Sequence, residues 1–269
     1  MSASNQPKNA TARKDDFVQR GMKGPNRLGN TIFFVSRLVD PFLQYSILGN
    51  GLANGLISRL GGTVLPQGPP LLTNTFSDRL GLSPYRSILL AMSIGSMAKQ
   101  NFHLTTIMQE QLKPSSALAI GIVNAVFNSI NSLLFLTAQT SASVNGEHFP
   151  QTPLIVGTVL YAVGLFIEWF SELQRHQFKK NSANKGKVYQ GGLFSLSRHI
   201  NYFGYMMWRS GYALAGGGWV WGAVVAASLT YSFTRLSIPD LQSYMEERYG
   251  EQYQAYEQRV PYKFIPYFV

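Results

Sequence analysis

Residues 187–214 read KVYQGGLFSLSRHINYFGYMMWRSGYAL, and the rest of the chain is organised around this stretch. A glycine pair and a short apolar turn lead to Ser197, Arg198 and His199, where an apolar helix is predicted to begin. Arg198, His199 and Asn201 carry several hydrogen-bond donors within four residues. Because a helix start offers free backbone N–H groups and a positive dipole end, the stretch predicts a site for an anionic group. A second interpretation is an anchor at the membrane surface, with the basic residues among lipid headgroups beside an aromatic belt.

Composition indicates a membrane protein. The chain has 269 residues, of which 45% are hydrophobic. Only 13% are charged, about half the fraction that is usual in soluble domains. Several windows of about 20 residues carry almost no charge, which is the length a helix needs to cross a bilayer. The sequence therefore predicts an all-α, polytopic bundle with six to seven transmembrane helices.

Charge and residue usage restrict the chemistry. The net charge is +10, but the basic residues cluster in loops and at predicted helix ends, which favours cytosolic loops and anionic membrane lipids over nucleic acid as partners. The chain has no cysteine, so disulfides and thiolate chemistry are excluded. The four histidines lack the spacing of a zinc site, and we expect no metal. Oligomeric state is not indicated.

The chain divides into a tail and one domain. Residues 1–30 are polar and basic without an apolar core of the signal-peptide type, so we expect a disordered cytosolic tail. Residues 31–269 form one predicted transmembrane domain. Its apolar segments, separated by loops rich in glycine, proline or basic residues, are 31–60, 84–112, 115–137, 153–178, 202–214 and 219–236. The basic loop 181–187 is predicted to face the cytosol.

Two predicted helices carry polar side chains at helical spacing. Asn124, Asn128 and Asn131 share one helix face, and in lipid each amide needs a partner. They are predicted either to join neighbouring helices or to contact a ligand. Glu168 and Glu172 lie one turn apart, which fits either a solvated helix end or a polar cradle at the cytosolic surface.

The second half of the chain, about 164–269, resembles the membrane reductase superfamily of steroid 5-alpha-reductases and sterol reductases. The resemblance rests on Glu168 and Glu172, then GGLFSLSRHINYFG, then Trp208 and Gly211, then the closing run SIPDLQSYMEERYGEQYQAYEQRVPYKFIPYF. It implies an NADPH pocket within 164–269 that opens to the cytosol. It further implies reduction of a C=C bond in a lipophilic, sterol-like or enone substrate, in the endoplasmic reticulum.

The resemblance also assigns roles to individual residues. The cofactor-binding positions it implies are Glu168, Glu172, Lys179, Arg198, His199, Asn201, Tyr202, Arg235, Arg248 and Tyr256. The catalytic candidates are Tyr202 and His103. The sequence departs from the reductase pattern where acidic residues are usual, since it has Tyr205 and Gln242 at those positions.

Two alternatives stay open. The Arg-His-x-x-Tyr-x-Gly element and the Val-Pro ending are similar to those of isoprenylcysteine carboxyl methyltransferases, which are membrane enzymes that bind S-adenosylmethionine. The shared element therefore does not choose between the two cofactors. A non-catalytic relative that kept the fold is the third interpretation, because Tyr205 and Gln242 replace acids near the implied cofactor.

Overall fold

The computed structural model describes residues 18–24 and 26–268, and within them the chain is mostly helical. The helices are α1 Arg27–Leu48, α2 Asn54–Arg59, α3 Pro84–Phe102, α4 Pro114–Leu136, α5 Thr152–Lys180, α6 Ile200–Ser232, α7 Ile238–Tyr249 and α8 Glu251–Arg259. A π-helical turn follows α3 at His103–Ile107, and another follows α6 at Phe233–Ser237. Short 3-10 turns lie at Phe76–Leu80, Ser182–Asn184 and Gly192–Ser195.

A small antiparallel sheet departs from the all-α prediction. Strand β1, Val18–Lys23, pairs with β2, Glu110–Leu112. The predicted tail 1–30 therefore contains a strand, and α1 already begins at Arg27, capped by the Asn26 side chain. Residues 1–17 and 25 of that tail lie outside the described residues. Local composition did not predict β1, because its hydrogen-bond partner is far away in the sequence.

Three helical stretches in the described part of the chain are long and apolar enough to cross a membrane. They are Pro114–Leu136, Thr152–Lys180 and the continuous stretch Ile200–Tyr249. The predicted number of six to seven spans is not confirmed. The physical reason is that α1 buries Arg37 and Asp40 while α3 buries Arg86 and Lys99, and these charges lower the hydropathy of both helices.

Buried polar side chains tie α1, α4 and α6 together inside the bundle. Asp40 pairs with Arg37 at 3.0 Å and accepts hydrogen bonds from Gln44 at 2.9 Å and Asn128 at 2.6 Å. Asn128 in turn accepts from Arg209 Nη1 at 3.1 Å. A buried charge is costly unless it is paired and hydrogen-bonded, and here each one is.

The asparagine stripe of α4 joins helices, which confirms the first of its two interpretations. Besides Asn128, Asn124 accepts hydrogen bonds from Gln100 of α3 and from Arg209 of α6. Asn131 accepts from the Trp221 indole of α6 at 2.8 Å. All three asparagines are buried. The amides therefore find their partners in neighbouring helices rather than in lipid.

Helices α5 and α6 pack backbone to backbone through glycines. A Cβ atom on Gly164 would lie 2.5 Å from the backbone nitrogen of Trp208, and one on Gly204 would lie 2.6 Å from that of Glu168. Close approach of this kind is typical of membrane helix pairs with small residues at the contact. It brings the side chains of Glu168 and Trp208 next to each other. Further along α6 the helix breaks at Gly218, whose φ is 74°.

Because of this contact, Gly164→Ala is expected to destabilise the protein by about 1–3 kcal/mol, the usual cost of overpacking. The matched control is Gly55→Ala in α2, where an added Cβ meets nothing within 4 Å. The melting temperatures of both variants in detergent check the prediction. Equal melting temperatures for the wild type, Gly55→Ala and Gly164→Ala would contradict the described α5–α6 packing.

Candidate functional site

The cytosolic ends of α3, α5 and α6, as assigned from the basic loop, meet around two carboxylates. Glu168 of α5 forms an ion pair with Lys99 of α3 through Oε1. Its second oxygen, Oε2, accepts a hydrogen bond from Trp208 Nε1 of α6 at 2.6 Å. The Glu168 carboxylate is thus held from two sides by donors on two different helices.

Glu172 lies one turn further along α5 and is held in the same way. Its Oε1 accepts a hydrogen bond from Asn201 Nδ2 at 2.8 Å, and its Oε2 pairs with Arg175 at 2.5 Å. The Glu172 side chain is only 5% exposed, whereas that of Arg175 is 44% exposed. Glu172 is therefore an interior carboxylate at the rim of the bundle, and Asn201 ties it to the start of α6.

His103 begins the π-helical turn one helical turn beyond Lys99. Burial lowers the pKa of His103 below its ordinary 6.5; Lys99 and Arg175 lower it further, while Glu172 and Glu168 oppose the shift. The imidazole is therefore neutral at pH 7 and can accept a proton. π-helical turns are rare and frequently occur at functional sites. His103, Glu168 and Glu172 together form the polar centre of the candidate site.

The signature loop is fastened to the C-terminal tail. Ser197 Oγ donates to the Phe264 carbonyl at 3.0 Å. The backbone N–H groups of Arg198 and His199 donate to the carbonyls of Tyr262 and Lys263, each at 3.0 Å. These tail carbonyls satisfy donors at the start of α6 that a predicted anion was expected to take.

Arg198 contacts the protein itself and does not lie among headgroups. It is 6% exposed, pairs with Glu257 at 3.2 Å and donates to the Val260 carbonyl at 2.9 Å. A guanidinium that is already bound to a carboxylate and a carbonyl is poorly placed to take up a phosphate as well. The structure thus gives Arg198 a visible role in holding α8 and the tail.

Three other predicted cofactor residues also hold the C-terminal helices. Lys179 Nζ contacts the Lys187 carbonyl at 2.5 Å and the Tyr249 hydroxyl at 2.8 Å. The Tyr256 hydroxyl donates to the Phe194 carbonyl at 2.7 Å, and Arg248 donates to the Tyr244 hydroxyl. Arg235, a fourth predicted position, is exposed on the π-helical turn after α6. The structure therefore separates these residues from the Glu168–Glu172 pair by role.

His199 and Tyr202 form an aromatic wall beside the site. Their rings stack at 5.7 Å, and Tyr202 stacks on Phe233 at 4.8 Å. His199 Nε2 is buried without a hydrogen-bond partner. Burial lowers the pKa of His199 to about 3, with further lowering by Arg198, Arg175 and Lys263. A neutral imidazole with an unsatisfied nitrogen is available to a ligand.

The sequence interpretation did not assign roles to Lys99 and Trp208, although both contact Glu168. A lysine in an otherwise apolar helix was the signal for Lys99, since such a charge needs a buried partner. Trp208 gave no comparable signal. Among the described residues, no group of three or more histidine, aspartate or glutamate side chains is placed to hold a metal ion.

Comparison with known proteins identifies relatives of the chain. Residues 88–260 match the family described as "Protein of unknown function (DUF1295)". A protein of Ustilaginoidea virens described as "Probable O-methyltransferase ustE" is 39% identical over 243 residues, which cover 89% of this chain and 86% of the relative.

These relatives correct the assignment made from the sequence. Assigning the chain to the steroid 5-alpha-reductase and sterol reductase superfamily was wrong, because the extensive match is to a protein described as a methyltransferase. The motif that carried the resemblance is one that both classes of membrane enzyme share, so it did not distinguish them. With the family model covering residues 88–260 and a relative aligned over most of both chains, the chain belongs to the DUF1295 family.

Proposed function

We propose that the chain is a membrane-embedded O-methyltransferase that uses S-adenosylmethionine to methylate an oxygen of a lipophilic acceptor. The observation that carries the proposal is the pair of interior carboxylates, Glu168 and Glu172, beside the neutral imidazole of His103. The description of the Ustilaginoidea virens relative as a probable O-methyltransferase supports the same reaction class. The enzyme is thus proposed to be a transferase and not an oxidoreductase.

The donors and acceptors of the site fit a cationic cofactor. When bound, S-adenosylmethionine supplies a methyl group on a positively charged sulfonium, together with an ammonium group. Glu168 and Glu172 would hold these positive charges, and Asn201 keeps the Glu172 carboxylate oriented. The unsatisfied His199 Nε2 and the Tyr202 ring provide a polar and an aromatic contact for the nucleoside part.

The same residues fit NADPH less well. Its phosphates need several cations that are free to bind them. Arg198 is bound to Glu257, Lys179 to the Lys187 carbonyl and Arg248 to the Tyr244 hydroxyl. These contacts leave the predicted phosphate set engaged with the protein, which favours the sulfonium cofactor.

His103 is the proposed general base. Methylation of an acceptor hydroxyl forms a C–O bond and releases the hydroxyl proton, and a neutral imidazole at the site takes up that proton. The apolar faces of α4, α5 and α6 give a lipophilic acceptor access from the bilayer. The basic loop 181–187 places the site at the cytosolic surface, where a soluble cofactor is available.

Purified protein in lipid nanodiscs tests the proposal. It would be incubated with S-adenosylmethionine labelled in the methyl group and a panel of lipophilic phenols, carboxylic acids and alcohols. We expect label to enter at least one acceptor, with S-adenosylhomocysteine formed in equal amount. NADPH oxidation by the same panel, with no transfer of label, would refute the proposal.

The rate of methyl transfer is expected to stay constant from about pH 8 down through 6.5 and to fall only below that value. The reason is that His103 acts as a base only when it is neutral, and burial lowers its pKa below 6.5. Lys99 and Arg175 reinforce this shift, and Glu172 and Glu168 oppose it. Measuring kcat against pH at saturating cofactor checks the prediction. A rate that has already halved at pH 6.5 or above would contradict it.

A further inference from the structure

Trp208 makes a contact for which the proposed reaction has not yet required a role. Its side chain is fully buried, and its indole N–H donates to Glu168 Oε2 at 2.6 Å. The other carboxylate oxygen pairs with Lys99. Because an indole has one donor and no acceptor, this N–H points at the carboxylate in a single fixed direction.

The Trp208 ring is itself held firmly in place. The Arg209 guanidinium lies over it at 4.4 Å, and the Tyr205 ring meets its edge at 5.1 Å. Tyr161 of α5 packs against it edge-on at 6.1 Å. Arg209 is hydrogen-bonded to Asn128, which is bonded to Asp40. A continuous set of contacts therefore runs from the buried ionic network of α1 to the Glu168 carboxylate.

We infer that Trp208 is a positioning residue that fixes the direction of the Glu168 carboxylate, so that the site selects a cofactor carrying a positive charge. This inference rests on the proposed function, because it assumes that S-adenosylmethionine is the cofactor. A carboxylate that is already oriented in a site of low dielectric needs no reorganisation when a cation arrives, and its attraction is correspondingly strong.

The inference predicts selectivity between two nearly identical molecules. S-adenosylmethionine and S-adenosylhomocysteine differ by one methyl group and by the sulfonium charge. A site built for the cation binds the first more tightly than the second. If Trp208 only filled space, its loss would weaken both molecules to the same degree.

The experiment measures the affinities of both molecules by calorimetry for the wild type, Trp208→Phe, Glu168→Gln and the double variant. We expect Trp208→Phe to weaken S-adenosylmethionine about 10-fold, as for one lost hydrogen bond to a charged group, with S-adenosylhomocysteine little changed. Glu168→Gln should abolish the preference for the cation. In that background, Trp208→Phe should have no further effect on the ratio of the two affinities.

Trp221→Phe is the matched control. It also removes an indole hydrogen bond from α6, the 2.8 Å bond to Asn131, but not one to a site carboxylate. This variant should keep the wild-type affinity ratio, whatever it costs in stability. A Trp208→Phe variant with an unchanged ratio, or with equal losses for both molecules, would overturn the positioning role. A wild type that binds neither molecule would instead overturn the proposed function itself.

Discussion

Replacing His103 by alanine is expected to lower kcat for methyl transfer by about 10²- to 10⁴-fold, the usual contribution of a general base. Cofactor affinity should change little, because the proposed contacts of the cofactor are with Glu168, Glu172 and the His199–Tyr202 wall. The physical reason is that burial keeps the His103 imidazole neutral and the described site offers no second neutral base close to Lys99. Single-turnover rates, measured together with cofactor affinity by titration, separate the two effects.

His148→Ala is the control for this change, because His148 is exposed on the loop before α5. It should leave both kcat and cofactor affinity at wild-type values. His103→Gln should be nearly as slow as His103→Ala, since an amide keeps hydrogen bonding but cannot take up a proton. Wild-type turnover in either His103 variant would remove His103 from the reaction.

Asp40→Ala is expected to destabilise the protein by about 3–5 kcal/mol, the range found when one partner of a buried ion pair is removed. The change leaves the fully buried Arg37 guanidinium without its carboxylate. It also removes the acceptor of the Gln44 and Asn128 amides, and unsatisfied polar groups are costly in the membrane interior. Because this network joins α1, α4 and α6, we expect the loss to be global.

Thermal unfolding in detergent measures the effect of Asp40→Ala, with Asp240→Ala as control because Asp240 is exposed on α7. The double variant Arg37→Leu/Asp40→Leu should be less destabilised than Asp40→Ala, since it removes the unpaired charge as well. If Asp40→Ala melted at the same temperature as Asp240→Ala, the buried network would contribute nothing to stability.

The sequence predicted the helices of the bundle better than it predicted their environment. The apolar segment 115–137 corresponds closely to α4, and 153–178 to α5. The number of membrane spans was harder to predict, because α1 and α3 combine an apolar surface with buried charges such as Arg37 and Lys99. Whether such a charge lies in a helix that crosses the bilayer depends on its partners, which local sequence does not specify.

The candidate site could be predicted in part. The i, i+4 spacing of Glu168 and Glu172 placed two carboxylates on one face, and the structure brings Asn201 onto Glu172. The contacts of Arg198 with Glu257 and the Val260 carbonyl depend on how α8 folds back, so the sequence indicated a phosphate ligand instead. The cofactor could not be chosen from the motif, because the motif specifies a loop and a helix start rather than the charge of the ligand.

Calorimetric titration of the purified wild-type protein with S-adenosylmethionine, S-adenosylhomocysteine and NADPH tests the central claim most directly. The interior carboxylates Glu168 and Glu172, together with the engagement of Arg198 by Glu257, predict binding of S-adenosylmethionine and no measurable heat with NADPH. Saturable binding of NADPH in a protein that ignores S-adenosylmethionine would contradict the account.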